Sequence, residues 1–142
     1  MARIKLSIPE KIIASISIPV RITDINYGNH LGNDALVSII HEARIQWLRS
    51  NNYSELDIEG AGVIMSELAV EYIGESFYGD ELNVDISCGE ITKVSFELYY
   101  NIEANRNDKI IPIAKAKTGM VCYNYTLKKV TALPANLIAL LN

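Results

Sequence analysis

Most of the side chains that could do chemistry in this sequence lie in one short segment, residues 24–34, which reads Asp-Ile-Asn-Tyr-Gly-Asn-His-Leu-Gly-Asn-Asp. His30, one of the two histidines of the chain, lies within it. The segment ends where an apolar, helical pattern begins, so its backbone N–H groups and short polar side chains converge on a helix N-terminus. Such an end stabilises an anion or a polarised carbonyl oxygen. We therefore expect a reactive site in this segment.

The helix that follows must position the segment, and its pattern predicts a helix over residues 34–50. Asn33 is the expected N-cap, and Asp34 in the first turn suits the positive end of the helix dipole. Apolar residues occupy more than one stripe of this helix, which predicts that it is buried on most sides. Arg44 lies toward its C-terminal half, where positive charge complements the dipole. We assign His41, in the middle of the helix, a structural role.

Strand patterns surround this helix. Residues 12–22 alternate with a period of two, as a half-buried strand does, and Pro19, which lacks a backbone N–H, is expected at an edge or a bulge. After the helix, strand patterns occupy residues 63–73, 82–88, 96–102 and 110–125, and residues 137–141 form a short helix or a strand end. This order predicts a single α+β domain over residues 1–142, with an antiparallel sheet covering the helix.

Composition and charge exclude several classes of function. The 142 residues are 49% hydrophobic and 21% charged, as in one globular domain. The net charge of −4 gives no overall electrostatic reason for the protein to bind nucleic acid. No stretch approaches the roughly 20 apolar residues of a membrane helix, and residues 1–20 lack the organisation of a signal peptide, so we expect a cytoplasmic protein without membrane insertion. Cys88 and Cys122 lack the spacing of a zinc site or a disulfide framework and are expected to be reduced thiols.

Several motifs accompany the loop Asn26-x-x-x-His30-x-x-Asn33, namely Arg21-Ile22-Thr23-Asp24 before it and Glu42-Ala43-Arg44, Trp47-Leu48, Glu71-Tyr72 and Tyr78-Gly79-Asp80 after it. With these motifs in this order, the sequence resembles the hotdog-fold thioesterases of the 4-hydroxybenzoyl-CoA thioesterase superfamily. The resemblance implies an antiparallel sheet wrapped around one long central α-helix. It also implies that an acyl-CoA or acyl-ACP thioester is hydrolysed at a subunit interface, without a metal ion or cofactor. The exposed strand edges that we expect likewise favour a homodimer or a tetramer of dimers.

The loop departs from the family at one position. The family usually carries a second Asp, cast as base or nucleophile, where this sequence has Asn26. An amide does not accept a proton usefully at neutral pH, so this assignment fails here, although Asp24 keeps the first Asp of the pair. The sequence is also partly similar to plant acyl-ACP thioesterases, whose loop carries Asp-x-Asn-x-His and whose further Glu follows Glu-Tyr-x-x-Glu. His30 and Glu75 match that pattern, whereas Asn26 and Gly28 do not.

Each candidate residue has a catalytic and a structural interpretation. His30 polarises the carbonyl or orients a water, or else it only orders the loop. Glu75 is a base or a nucleophile, or else an exposed residue at a strand end. Asp24 is a second candidate base, but an Asp before a turn also accepts backbone hydrogen bonds readily. Asn26 remains a candidate donor to the oxyanion.

Gly32, Asn33 and Asp34 are expected to bind the substrate carbonyl at the start of the helix, although capping alone also explains Asn33 and Asp34.

Three functions stay open at this point. The first is an acyl-CoA or acyl-ACP thioesterase. The second is a non-catalytic hotdog protein that binds an acyl thioester or acyl ligand, because Asn26 replaces the usual carboxylate. The third is a dehydratase of the same fold, whose local pattern this chain lacks.

Overall fold

The computed structural model describes residues 3–142. Strand β1 spans Ile12–Pro19, and a 3-10 turn at Ile22–Asp24 leads toward helix α1 at Asn33–Ser50. Four long strands follow, which are β2 at Gly62–Tyr72, β3 at Glu81–Ile91, β4 at Ser95–Arg106 and β5 at Lys109–Asn124. The chain ends with the short strand β6 at Lys129–Val130 and helix α2 at Ala135–Leu141. The predicted order of strands and helix is therefore confirmed.

The strands form one antiparallel sheet in the order β1-β3-β4-β5-β2, and β6 pairs with the end of β5. β2 precedes β3 in the chain but lies at the far side of the sheet, so β1 and β2 are the two edges. The edge position predicted for Pro19 is confirmed, because Pro19 lies on β1, which is an edge strand of the sheet. β1 is three residues shorter than predicted, because the chain leaves the sheet after Pro19 and turns at Ile22.

Alternation decides which face of each long strand is buried. In β4 every second residue from 96 to 104 is buried. In β5 the buried residues Ala116 and Thr118 flank the partly exposed Lys117. The same core includes one side of α1, with spacings of three and four residues: Leu36, Ile39, Ile40, Ala43, Trp47 and Leu48. Burial of each large apolar side chain stabilises the fold by about 1.5–3 kcal/mol, and this side of α1 therefore fixes the helix on the sheet.

The structure corrects several expectations for α1. The helix starts one residue earlier than predicted, and its N-cap is Gly32 rather than Asn33. It is buried on one side only, since His41 and Glu42 are exposed. Arg44, which the sequence assigned to the helix dipole, is buried instead. Helix α1 has 18 residues and a second helix follows later in the chain, so the picture of one long central helix is not confirmed.

The two cysteines carry free thiols, as predicted. Burial raises the pKa of Cys122 to about 11, so its thiol stays protonated at neutral pH and packs as a small apolar side chain. Within residues 3–142, neither helix has the length and apolar character needed to cross a membrane.

Candidate active site

The loop between β1 and α1 folds back on itself as a small hairpin. Ile25 and Leu31 form an isolated β-bridge, and the backbone N–H of Asn26 donates to the carbonyl oxygen of His30 at 2.9 Å. Asn29 closes the turn with a φ of 69°, a conformation that Asn adopts more readily than most residues. The hairpin therefore brings the side chains of Asn26 and His30 close together.

Asn26 and His30 each keep one polar atom available. The Oδ1 atom of Asn26 accepts from the N–H of Gly28 at 2.9 Å, which leaves Nδ2 as a donor. The Nδ1 atom of His30 lies 3.2 Å from the carbonyl oxygen of Leu31. A carbonyl only accepts, so this contact places the hydrogen on Nδ1 and leaves Nε2 as an acceptor. A Cβ atom on Gly28 would lie 3.2 Å from both Asn26 Oδ1 and His30 Nε2, so glycine keeps the approach to Nε2 open.

The start of α1 offers the backbone N–H of Asn33 to a ligand. The N–H of Gly32 already donates to the carbonyl oxygen of Asp24 at 3.0 Å, and that of Asp34 donates to Asn33 Oδ1 at 2.9 Å. The N–H of Asn33 has no acceptor within the described chain. A Cβ atom on Gly32 would lie 2.7 Å from Asp34 Oδ1, so glycine leaves room for the Asp34 side chain to fold back. This end thus combines an available donor with the positive end of the helix dipole.

An ion pair fixes the segment that carries Glu75. Arg106 Nη2 donates to Asp80 Oδ2 at 2.6 Å and to the carbonyl oxygen of Glu75 at 3.2 Å. Ser76 Oγ also donates to Asp80 Oδ2, at 2.8 Å. The carbonyl oxygen of Ser76 in turn accepts from the N–H of Leu31 at 2.8 Å. Through these bonds the ion pair joins the Glu75 segment to the His30 loop, and the guanidinium of Arg106 lowers the pKa of Asp80 below its usual range.

The two segments face one cavity of about 830 Å³, which we call the N-terminal cavity. Six of the seven predicted site residues line it, namely Asn26, His30, Gly32, Asn33, Asp34 and Glu75. Leu36 and Ile113 contribute apolar wall, and Tyr72 holds β2 to the start of α1 by donating to the carbonyl oxygen of Asn33 at 2.9 Å. The Glu75 side chain is exposed and accepts no hydrogen bond from residues 3–142. The cavity therefore unites a backbone donor, an imidazole and a carboxylate that has no bonded partner in the described chain.

Asp24 is the predicted site residue that the cavity does not include. Its side chain is only 5% exposed. Its Oδ2 atom accepts from the backbone N–H of Arg21 at 2.8 Å, and its Oδ1 atom accepts from Arg21 Nη2 at 3.2 Å. The carboxylate is therefore occupied by the 3-10 turn, and the Asp24 carbonyl fixes Gly32 at the helix start.

Sequence reasoning missed the residues that fix the Glu75 segment. The motif Tyr78-Gly79-Asp80 contributes only to the family resemblance in the sequence analysis, and Arg106 is not singled out there. An Asp directly after a turn glycine was the available signal for a carboxylate that accepts backbone bonds. Its partner Arg106 has no local signal, because the two residues meet only through the pairing of β3 with β4. Within residues 3–142, no cluster of three or more His, Cys, Asp or Glu side chains is arranged to hold a metal ion.

Known proteins share this architecture. The profile described as the thioesterase-like superfamily matches residues 20–141. A 1,4-dihydroxy-2-naphthoyl-CoA thioesterase from Synechocystis has a TM-score of 0.78 at 19% identity, over 89% of this chain and 93% of that chain. A DHNA-CoA thioesterase from Staphylococcus aureus gives 0.74 at 17% identity, over 84% and 80%. A thioesterase-superfamily protein from Jannaschia gives 0.81 at 13% identity, over 94% and 83%. At these identities the structural likeness shows the fold alone, and no curated protein matches the sequence.

Proposed function

The chain belongs to the thioesterase-like superfamily, and from this premise we propose that it hydrolyses the thioester bond of an acyl-CoA or acyl-ACP. One observation carries the proposal: a helix N-terminus, the imidazole of His30 and the carboxylate of Glu75 line the same cavity. Hydrolysis of a thioester needs a donor for the oxyanion, a group that orients the reactants and a base for the attacking water. The N-terminal cavity holds a candidate for each of these parts.

In the proposed reaction, the thioester carbonyl oxygen lies at the start of α1. The backbone N–H of Asn33 donates to this oxygen, and Nδ2 of Asn26 donates from the facing loop. Both bonds strengthen as negative charge develops on the oxygen, because charged acceptors form stronger hydrogen bonds and the helix dipole favours an anion at this end. Gly32 keeps this part of the cavity free of a side chain.

Glu75 serves as the base in this mechanism. Its carboxylate takes a proton from a water molecule while the water oxygen attacks the carbonyl carbon. His30 Nε2 accepts the second hydrogen of the water as a hydrogen bond and so orients the attack. The tetrahedral oxyanion then collapses, the carbon–sulfur bond breaks, and the departing thiolate takes the proton from Glu75. A carboxylate without other donors around it suits this task, since bound donors would weaken its basicity.

Asp24 and Asp80 act as positioning residues in this proposal. Asp24 holds the 3-10 turn through Arg21 and the helix start through Gly32. Asp80 holds the segment of Glu75 through Arg106. Acyl-CoA is the carrier that we favour over acyl-ACP, because two solved structures of this fold bear the name of a CoA thioesterase.

We further propose that the enzyme is a homodimer, or a tetramer of dimers, with substrate bound at the subunit interface. β2 is an edge strand of the sheet, and Ile64, Met65, Leu68 and Tyr72 on it are exposed. An open edge with apolar side chains favours pairing with a second copy. Tyr72 also lines the N-terminal cavity, so a partner at β2 would stand beside the site. A stable monomer in sedimentation at micromolar concentration would contradict this arrangement.

The second candidate function is binding of an acyl thioester without hydrolysis. The observation that favours it is the amide at position 26, whose oxygen is already bonded to Gly28. If the family's base has been lost rather than replaced by Glu75, the cavity would still bind the substrate carbonyl at the N-terminus of α1. The two candidates differ in what a carboxylate restored at position 26 would do.

Turnover of a panel of acyl-CoA thioesters separates the two candidates, with wild type, Glu75→Gln and Asn26→Asp compared. If Glu75 is the base, wild type is active and Glu75→Gln lowers kcat by about 10²–10⁴-fold. Asn26→Asp then brings little gain or some loss, because a second negative charge enters the site. Glu90→Gln is the matched control, since Glu90 is an exposed glutamate on β3 that does not line the cavity.

The opposite result would support binding without hydrolysis. If wild type is inactive on every thioester while the Asn26→Asp variant is active, the protein binds acyl thioesters but has lost the catalytic base. Equal turnover by wild type and Glu75→Gln would remove Glu75 from the mechanism.

A further inference from the structure

The segment before β1, residues 3–11, connects the two edges of the sheet; we call it the strap. Its C-terminal end leads directly into β1, which is one edge strand. Its other end is held at β2, the opposite edge strand, where the backbone N–H of Leu6 donates to Glu71 Oε1 at 2.9 Å. The strap lies outside residues 20–141, the part of the chain that matches the thioesterase-like profile, so the family match assigns it no role.

The first residues of the strap line a small cavity of about 160 Å³, which we call the strap cavity. Arg3 and Lys5 stand on one side of it, and the end of β2 forms the other side. Tyr72 and Ile73 line the strap cavity and the N-terminal cavity alike, so the two cavities are neighbours. Because the Tyr72 hydroxyl reaches the carbonyl oxygen of Asn33 at 2.9 Å, this one side chain connects the strap cavity with the start of α1.

The two cations of the strap are available to bind an anion. Arg3 and Lys5 are exposed, and neither forms an ion pair within residues 3–142. One residue separates them, so their Cα atoms lie at most about 7 Å apart. Their long side chains can therefore converge on one phosphate or on two adjacent phosphates. Other cations of the chain are already paired with carboxylates, namely Arg21, Arg44, Arg106 and Lys117.

Glu71 is the one carboxylate that lines the strap cavity in the described chain, and cations surround it. Its direct cross-strand partner on β5 is Lys115, and the Cβ atoms of such a pair lie about 5 Å apart. Arg3 and Lys5 flank it from the strap. Three positive charges therefore face one negative charge, and the surroundings of the strap cavity are positive.

The N-terminal cavity has the opposite charge. Asp34 and Glu75 line it, whereas no Lys or Arg within residues 3–142 does so. Like charge disfavours a phosphate in this cavity, and the cations of the strap favour one next to it. The pair of cavities therefore suits a ligand with an uncharged thioester at one end, a neutral linker and a phosphate at the other end. Acyl-CoA and acyl-ACP both have this form, because a neutral pantetheine arm separates the sulfur from the phosphates.

We propose that Arg3 and Lys5 bind phosphate groups of the carrier that bears the thioester. The proposal rests on the proposed thioesterase function and assigns carrier recognition to the strap. A guanidinium binds phosphate oxygens through two parallel hydrogen bonds, and an ammonium adds a compact charge beside it. Two neighbouring cations suit the diphosphate of CoA better than the single phosphodiester of acyl-ACP, so CoA is the carrier that the strap favours.

The kinetic test compares an acyl-CoA with the acyl-pantetheine of the same acyl group, which lacks every phosphate. Arg3→Gln/Lys5→Gln should raise KM for acyl-CoA by about 10-fold with little change in kcat, because the strap binds a part of the substrate that does not react. The same variant should leave both constants for acyl-pantetheine unchanged. An unchanged KM for acyl-CoA in this variant would overturn the proposal.

Two control variants separate a specific contact from a general effect of charge. Arg3→Lys/Lys5→Arg keeps both positive charges and should retain most of the wild-type affinity for acyl-CoA. Lys93→Gln/Lys129→Gln removes two exposed lysines that line neither cavity and should change KM by less than about twofold. A rise in KM for Lys93→Gln/Lys129→Gln equal to that of the strap variant would show that net charge alone attracts the substrate, and would refute a site on the strap.

A binding measurement separates this proposal from the proposed activity, because it needs no hydrolysis. In calorimetric titrations, wild type should bind CoA about 10-fold more tightly than pantetheine, and Arg3→Gln/Lys5→Gln should lose most of this difference. Such a result would support the phosphate site even in a protein that hydrolyses nothing. Equal binding of CoA by wild type and by this variant would refute the site and leave the thioesterase activity to its own test.

Titration with 4′-phosphopantetheine distinguishes the two sources of phosphate. If wild type binds it more weakly than CoA, and only CoA loses affinity in Arg3→Gln/Lys5→Gln, the strap binds the nucleotide end of CoA. If both ligands bind equally and lose the same factor, the strap binds the phosphate next to the pantetheine arm, which acyl-ACP also carries. If neither ligand loses affinity, the strap binds no phosphate.

Discussion

The carboxylates around the N-terminal cavity fall into two groups. Asp24 and Asp80, the anchored carboxylates, are 5% and 9% exposed and accept hydrogen bonds on both oxygens. Asp34 and Glu75, the free carboxylates, are exposed and accept no hydrogen bond from residues 3–142. The anchored pair fixes the loops on the two sides of the cavity, and the free pair lies in the cavity itself.

This difference separates the residues that hold the site from those able to react in it. The oxygens of an anchored carboxylate are occupied by donors of the fold, so they are not available to a reacting water molecule. A free carboxylate has no such bonds to lose when it takes up a proton. We therefore expect substitution of an anchored group to affect stability first, and substitution of a cavity group to affect turnover first.

The largest effect should come from Glu55, a third anchored carboxylate that lies away from the N-terminal cavity. Its Oε2 atom accepts from Arg44 Nε at 2.6 Å, and its Oε1 atom lies 2.8 Å from His41 Nε2. Glu55→Ala leaves the guanidinium of Arg44 buried without its counter-charge, which should cost about 3 kcal/mol of unfolding free energy. Urea denaturation measures this loss, and Glu90→Ala on the surface of β3 should change the free energy by no more than about 0.5 kcal/mol. An unchanged urea midpoint for Glu55→Ala would show that this ion pair does not hold the core.

The next effect should distinguish the two histidines, because His30 lines the N-terminal cavity and His41 does not. His30→Ala should lower kcat by about 10²-fold, because it removes the group that orients the water. His41→Ala should leave turnover on short acyl-CoA substrates nearly unchanged, since His41 lies outside the N-terminal cavity. Small and equal losses of kcat in both variants would show that His30 only orders the loop.

Asp80→Asn tests whether an anchored carboxylate acts through the residue that it positions. The loss of the charged bonds to Arg106 should lower the unfolding free energy by about 2 kcal/mol and displace the Glu75 segment. We expect kcat to fall with little change in KM, because the base moves while the start of α1 remains in place. A stability loss with normal kcat would show that Glu75 does not depend on the ion pair.

The smallest effect is the dependence of stability on acid. The folded pKa of Asp80 is lowered, mainly by Arg106, so its contribution to stability is complete above the unfolded pKa of about 4. That contribution is lost as the pH falls from there through the lower folded pKa. Urea midpoints should therefore fall with acid below about pH 4, and Asp80→Asn should flatten this slope. An identical slope in the variant would remove Asp80 from the groups that set acid stability.

Local patterns in the sequence determined the elements and the loop. Alternation along β4 and β5 identified their buried faces, because a strand turns successive side chains to opposite sides. The motif from Asn26 to Asn33 located the loop and the helix start that line the cavity, since turn and capping preferences act over a few residues. The sequence also showed that Asn26 replaces the carboxylate that the family usually carries at this position. It therefore already raised the question of which group is the base.

Only the tertiary structure decided which polar groups meet across the chain. Arg106 reaches Asp80 because β3 pairs with β4. The buried guanidinium of Arg44 is paired with Glu55 and donates to Tyr100 on β4. Neither contact leaves a signal in the residues around it, since a local pattern reports burial and turns but not partners distant in sequence. The order of strands in the sheet sets those partners, and it therefore also determines which carboxylates are anchored and which remain free.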